Sequence, residues 1–175
     1  MKIEGEKRRL DVHKADLSGS AFDDVNFSGC DFENVNMSGW RIHNANLTGL
    51  KIANANLAGA YLAHANLAHA NLARANLAGA DLAHATLAGA NLAGANLAGA
   101  DINRTLLPFA NLRGANLRGA NFFRANLAGA DLSGADVTAA DFAEADLNGT
   151  ILRDVKGLRA AKGLDRAENF DKAVR

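Results

Sequence analysis

The sequence predicts an all-β solenoid, and three observations carry that prediction. From Leu17 to Leu152 every fifth residue is Leu, Ile, Val, Met or Phe, without one insertion. The residue two places earlier is usually Ala, and the one directly before is mostly Asn or Asp. The residue two places later is Gly in some columns, with few exceptions, and never Gly in another. A strict period of five fits neither an amphipathic helix nor a single alternating strand, so one short unit must be stacked on itself.

The register gives 28 units, centred on Leu17, Phe22, Phe27, Phe32, Met37, Ile42 and onward to Leu152. Residues two apart point to the same side of an extended segment. The large centre and the small residue two before it therefore face inward together, while the Asn or Asp between them faces out. Leu57, Leu77, Leu97 and Leu117 are expected at the core of successive coils. A bend must follow each centre before the pattern restarts, which makes every unit one short side of a closed coil.

Glycine suggests how many sides a coil has. Gly19, Gly39, Gly59, Gly79, Gly99 and Gly119 recur in every fourth unit, and the next unit of each set carries Asp24, Asn44, His64, His84, Arg104, Arg124 and Glu144 instead. A column that is Gly except at Ala139, beside one that is never Gly, implies two turn types, only one of which favours Gly's freedom at positive φ. Four sides and twenty residues per coil keep these columns straight, although ten residues would also preserve the alternation.

Units such as Ala55-Asn56-Leu57-Ala58-Gly59 and Ala130-Asp131-Leu132-Ser133-Gly134 resemble the pentapeptide repeat family, with its A(D/N)LxG consensus, over about four-fifths of the chain. The resemblance implies a right-handed quadrilateral parallel β-helix of about seven coils of four pentapeptides. Stacked at about 4.8 Å, these would stand roughly 34 Å tall. Outward Asn36, Asn56, Asn76, Asn96 and Asn116 would then form an amide ladder.

Three segments follow. Residues 1–14 read as a polar N-terminal lead-in or cap, with Leu10 and Val12 as a degenerate extra unit, and residues 15–152 form the β-helix. In residues 153–175 the five-residue rule stops. Gly163 after Leu158-Arg159-Ala160-Ala161-Lys162, the Asp165-to-Glu168 capping pattern, and Leu164, Ala167, Phe170 and Val174 at helical spacing predict a short α-helical C-terminal cap. The family resemblance makes a homodimer through a rod end an alternative role for this segment.

Composition narrows the function. The chain has 19 Lys plus Arg against 19 Asp plus Glu, and one cysteine, Cys30, in an inward register that suggests an inert buried thiol. No secretion signal or long apolar run is evident, so the expectation is a cytoplasmic protein with no membrane contact. No phosphate loop, metal-binding motif or nucleophile with its base stands out, so no catalytic residue, cofactor or metal is assigned, and the chain is not expected to be an enzyme.

Candidate contacts lie where the columns break the repeat. His64, His84, Arg104 and Arg124 should stack on the never-Gly corner. The plain reading is a solvated edge whose stems cover alanines; the functional one is an anion or acidic-partner contact. A His64/His84 metal site lacks further ligands. In Thr105-Leu106-Leu107-Pro108-Phe109, Leu106 replaces the outward Asn or Asp and Phe109 stands where Gly is usual, while Phe123 faces outward nearby. This is a local turn variant or a small apolar contact. Trp40, between Ser20 and Ala60 in its column, should fill core space near the N-terminal end.

Some family members imitate a DNA duplex and bind DNA gyrase, which makes gyrase a candidate partner. Mimicry needs a dense line of negative charge. Residues 15–150 carry 12 acids against 7 Lys and Arg, and between Asp101 and Asp131 there are four arginines and no acid. Such a basic band imitates a duplex poorly, and direct nucleic-acid binding lacks basic excess and interleaved aromatics. The expectation is a non-enzymatic scaffold or protein-interaction module with an unknown protein partner. A gyrase-binding mimic of quinolone-resistance type is the first alternative, and an engineered consensus-like scaffold, suggested by the regularity of residues 53–100, is the second.

Overall fold

The computed structural model describes residues 15–175; the expected lead-in over 1–14, with Leu10 and Val12, lies outside the described residues. Parallel backbone bridges join residues twenty apart from Asp16↔Asn36 to Asp136↔Lys156. Twenty residues therefore make one coil, and the ten-residue alternative is excluded. The longest regular pairing is between β1 (Ala21–Asp23) and β2 (Arg41–His43), in the register Ala21↔Arg41, Phe22↔Ile42, Asp23↔His43. The described residues form a parallel β-helix.

The unit Ala55 to Gly59 shows why the repeat has its composition. The Ala55 amide donates to the Ile52 carbonyl at 3.2 Å and closes the preceding turn. Asn56 donates to Val35 in the coil before, whereas Leu57 and Gly59 donate to Asn76 and Ala78 in the coil after. The remaining amide, that of Ala58, donates to Asn56 Oδ1 at 3.3 Å. All five donors are thus accounted for, as a packed backbone requires. The outward Asn is part of that accounting, because it serves the one amide that no carbonyl takes. Its NH₂ group links the coils: the Nδ2 atoms of Asn56, Asn76, Asn96 and Asn116 each donate to Oδ1 of the Asn one coil earlier, at 2.9–3.1 Å.

Inside, Leu57, Leu77, Leu97 and Leu117 are fully buried against columns of alanine. Two inward threonines, Thr105 and Thr150, satisfy their hydroxyls by donating to the carbonyls of Leu82 and Leu127 at 2.7 and 2.9 Å. Trp40 is buried among Phe22, Phe27 and Phe32, with ring centroids 5.5–5.9 Å away. Its indole N–H is buried without a hydrogen-bond partner. Cys30 is only half-buried, and that burial pushes its thiol pKa up.

Two expectations are corrected. The never-Gly column does not use a different turn: His64 and His84 have φ of 61° and 58°, beside 62° and 63° at Gly59 and Gly79. The same carbonyl-to-amide bond closes both kinds of corner, Leu57 to Ala60 at 3.0 Å and Leu62 to Ala65 at 3.1 Å. A Cβ on Gly59 or Gly79 would meet nothing within 4 Å, so no contact explains the segregation of glycine into its column.

The second correction concerns the α-helical cap over 153–175, which does not form; two three-residue 3-10 turns stand there, Leu158–Ala160 and Phe170–Lys172. The bridges continue as Asp141↔Lys162, Asp146↔Glu168 and Ile151↔Val174, so the offset grows by one residue per side. These sides are six residues long. Val155, Ala161, Ala167 and Ala173 keep the small inward position, and Leu158, Leu164 and Phe170 also pack against the core. Helical spacing was imitated because a six-residue repeat with two apolar positions places them three apart.

Glycine is sterically required in this wider coil. At Gly163, with φ of 69°, a Cβ would lie 2.5 Å from the Ala143 backbone nitrogen. Gly163→Ala should therefore cost about 2–3 kcal/mol in denaturant unfolding, whereas Gly59→Ala, which meets only the left-handed backbone penalty, should cost about 1 kcal/mol.

Candidate functional site

The never-Gly corner is assembled by the twenty-residue register. Positive φ turns its side chains outward, one per coil, and the structure divides them into four groups. Asn44 Nδ2 donates to Asp24 Oδ1 at 3.4 Å. The His64 and His84 rings stack, with centroids 4.9 Å apart and planes 12° from parallel. Arg124 Nε donates to Glu144 Oε2 at 2.7 Å, and Arg166 Nη2 donates to Glu144 Oε1 at 2.6 Å. Arg104 stands between the histidines and this network and makes no ion pair with any described residue.

Elsewhere in the basic band the arginines are engaged. Arg113 pairs with Asp131 at 2.9 Å and Arg118 with Asp136 at 3.2 Å. Each of the three arginines Arg113, Arg118 and Arg124 meets an acid of the next coil. Of the four arginines in the band, Arg104 alone has no acidic partner among the described residues.

Beyond this corner lies the side that runs through Thr86, Leu106 and Asn126, which bridge in succession. Leu106 is 47% exposed and Phe109, at the far corner of the same side, is 76% exposed. The local chemistry explains how Leu106 is tolerated. It removes the side-chain oxygen that normally accepts the amide two residues on, but that residue is Pro108, which has no amide to satisfy. Pro108 also occupies the second position of a turn closed by Leu107 O to Ala110 N at 3.1 Å, where its fixed φ is favoured.

Phe109 is held at φ 58°, a conformation that bulky residues rarely take. Its ring lies over the next glycine of the column, so that a Cβ on Gly129 would come within 2.7 Å of it. His69 lies over Gly89 in the same way.

Leu106 and Phe109 are therefore brought onto one side of one coil, with Arg104, His64 and His84 along its near corner. Two candidates do not join them. Phe123 lies on the preceding side, half-buried, with the Arg124 guanidinium carbon 4.9 Å from its ring centroid. Arg124 is spent on Glu144. Leu106, expected with Phe109 as a turn variant or small apolar contact because it replaces the outward Asn or Asp, is exposed on this side.

The side offers cationic and imidazole groups beside an apolar ridge. Among the described residues no three His, Cys, Asp or Glu side chains converge as a metal site, and no helix is long and apolar enough to cross a membrane.

The ion pairs set a pH dependence. The hydroxyl of Thr138, with its amide, holds the Asp136 carboxyl down to about 2, and Arg118 adds to this. The Arg124 hydrogen bond, supported by Arg166, holds Glu144 below its usual range. Groups with depressed folded-state pKa stabilise fully above their unfolded values and lose that contribution as pH falls through the folded ones. Thermal melts should therefore be flat near neutrality and fall from about pH 4 towards about pH 2. Asp136→Asn combined with Glu144→Gln should make that acid limb shallower, leaving the share of Asp131, whose carboxyl, against the effect of burial, Ser133 and Arg113 also hold down.

A family model described as a pentapeptide repeat region matches residues 20–97, and one described as pentapeptide repeats in eight copies matches residues 104–138 and 120–156. No curated protein matches significantly. Among solved structures, the chain is similar to HetL, a pentapeptide repeat protein involved in heterocyst differentiation regulation from the cyanobacterium Nostoc sp. strain PCC 7120. It is 28% identical, over 96% of this chain and 90% of that one, with a TM-score of 0.31. A second Nostoc pentapeptide repeat protein is 33% identical over 61% of this chain and 83% of its own, with a TM-score of 0.41. QnrB1, a plasmid-mediated fluoroquinolone resistance protein, is 18% identical over 87% and 95%, with a TM-score of 0.39. With family models matching from residue 20 to residue 156 apart from a short gap, on a backbone that repeats every twenty residues, the chain belongs to the pentapeptide repeat family.

Proposed function

We propose that this chain is a non-enzymatic protein-interaction module: a right-handed quadrilateral rod that presents the side containing Leu106 and Phe109 to a protein partner. The observation that carries the reading is Phe109, a bulky aromatic kept at φ 58° while 76% exposed. Glycine at that position would avoid a penalty of about 1–2 kcal/mol, and the ring gains little burial in return. A strained residue that does not serve packing points to use at the surface.

Mimicry of duplex DNA has less support. The acids of the C-terminal part that would supply the negative line, Asp131, Asp136 and Glu144, are paired with Arg113, Arg118, Arg124 and Arg166. A gyrase supercoiling assay should show no inhibition and no protection from quinolones across a wide range of protein concentration.

The interaction reading is tested by a paired measurement. Phe109→Gly should raise unfolding stability by about 1 kcal/mol. In affinity capture from a cell lysate, the same variant should lose proteins that the native chain retains. Unchanged capture, or a loss of stability on removing the ring, would count against the reading.

A further inference from the structure

The geometry points to a partner of definite chemistry: a protein segment that carries carboxylates next to apolar side chains and lies across the side between Arg104 and Phe109. This inference rests on the interaction reading above and specifies what that side would bind.

Of the four arginines in the basic band, Arg113, Arg118 and Arg124 are committed to Asp131, Asp136 and Glu144. Arg104 has no such partner, and it stands two residues before the exposed Leu106. An unpaired guanidinium beside an apolar contact favours a carboxylate from outside, held by charge-assisted hydrogen bonds.

Leu106 and Phe109 project from one coil, whereas Ala88 and Ala128 flank Pro108 in the coils before and after. The ridge is one coil high, and Arg104 to Phe109 spans at most about 17 Å of extended chain. Such a footprint suits one segment better than a broad globular surface. An aromatic and an arginine at the centre of a small contact are also the residue types that dominate binding energy.

The backbone supports the same assignment. The Leu106 and Pro108 pairing removes an acceptor and a donor together, which lets an apolar side chain stand outside without orphaning an amide. Phe109 adds its ring despite its strained φ. Both departures from the repeat fall within four residues, on the side that begins beside the free arginine.

The test pans a random peptide display library against the whole native chain and measures the affinity of enriched peptides for Arg104→Gln and Phe109→Gly. Peptides rich in Asp or Glu next to Leu, Ile or aromatic residues are expected. Each substitution should weaken them by about tenfold, and raising salt from about 0.05 to about 0.5 M should weaken them further. Phe109→Gly is expected to fold at least as well as the native chain, so its loss of binding cannot be attributed to unfolding; Arg104→Gln is checked by its melting temperature. Neutral or basic binders, or binders indifferent to both substitutions, overturn this inference and leave the interaction reading in place. Failure to enrich any peptide, together with unchanged lysate capture by Phe109→Gly, overturns both.

Discussion

One backbone amide in each side of the coil decides the character of this protein. Of the five amides in a unit, four find carbonyls, either in the closing turn or in the coils before and after. The fifth, directly after the large inward residue, is taken by the side-chain oxygen of the Asn or Asp two positions earlier, as at Asn56, Asn76, Asn96 and Asn116. Outward polarity is therefore a structural demand before it is a matter of solubility. The same Asn uses its NH₂ group to tie one coil to the next, so a single side chain serves both the turn and the stack.

The constraint also shows where the rod is free to depart from its repeat. Sides that open on Lys51 or Tyr61 lack the oxygen and leave the amides of Ala53 and Ala63 without a side-chain acceptor. The side that opens on Leu106 loses the donor as well, because Pro108 has none. An apolar outward residue is admitted there at little hydrogen-bonding cost. That side then carries the exposed Phe109 and begins beside the one arginine of the basic band that no acid compensates. The functional reading follows from this coincidence of a relaxed backbone requirement, a strained aromatic and a free charge.

Much of the fold was legible because a backbone repeat of twenty residues imposes a sequence repeat of five. The inward Leu and Ala columns, the Asn ladder and the space-filling role of Trp40 all follow from alternation in and out of a short side. The C-terminal coil was misread because lengthening the side to six residues places Leu164, Ala167 and Phe170 three apart, close to one helical turn. Distinguishing the two requires the bridges to Lys162, Glu168 and Val174, which are non-local. The turns were misread for a different reason. Glycine marks positive φ, but here Asn, His, Arg and Phe accept it too, so composition does not separate the corners. At the candidate site the basic column and the apolar interruption were each visible. Their meeting at one side, and the pairing of Arg124 with Glu144, which Arg166 shares, depend on side-chain geometry that spacing does not convey.

The Asn or Asp oxygen and the amide two residues on are energetically coupled, and the side that opens on Leu106 lacks both, because Pro108 has no amide. A double-mutant cycle on Leu106 and Pro108 tests that coupling most directly, by denaturant unfolding of Leu106→Asn, Pro108→Ala and the combined variant. Pro108→Ala alone exposes an amide with no acceptor and should destabilise by about 1 kcal/mol. Adding Leu106→Asn should recover most of that loss, giving a coupling of about 1 kcal/mol. Additive effects, with the two substitutions independent to within about 0.3 kcal/mol, would contradict the account.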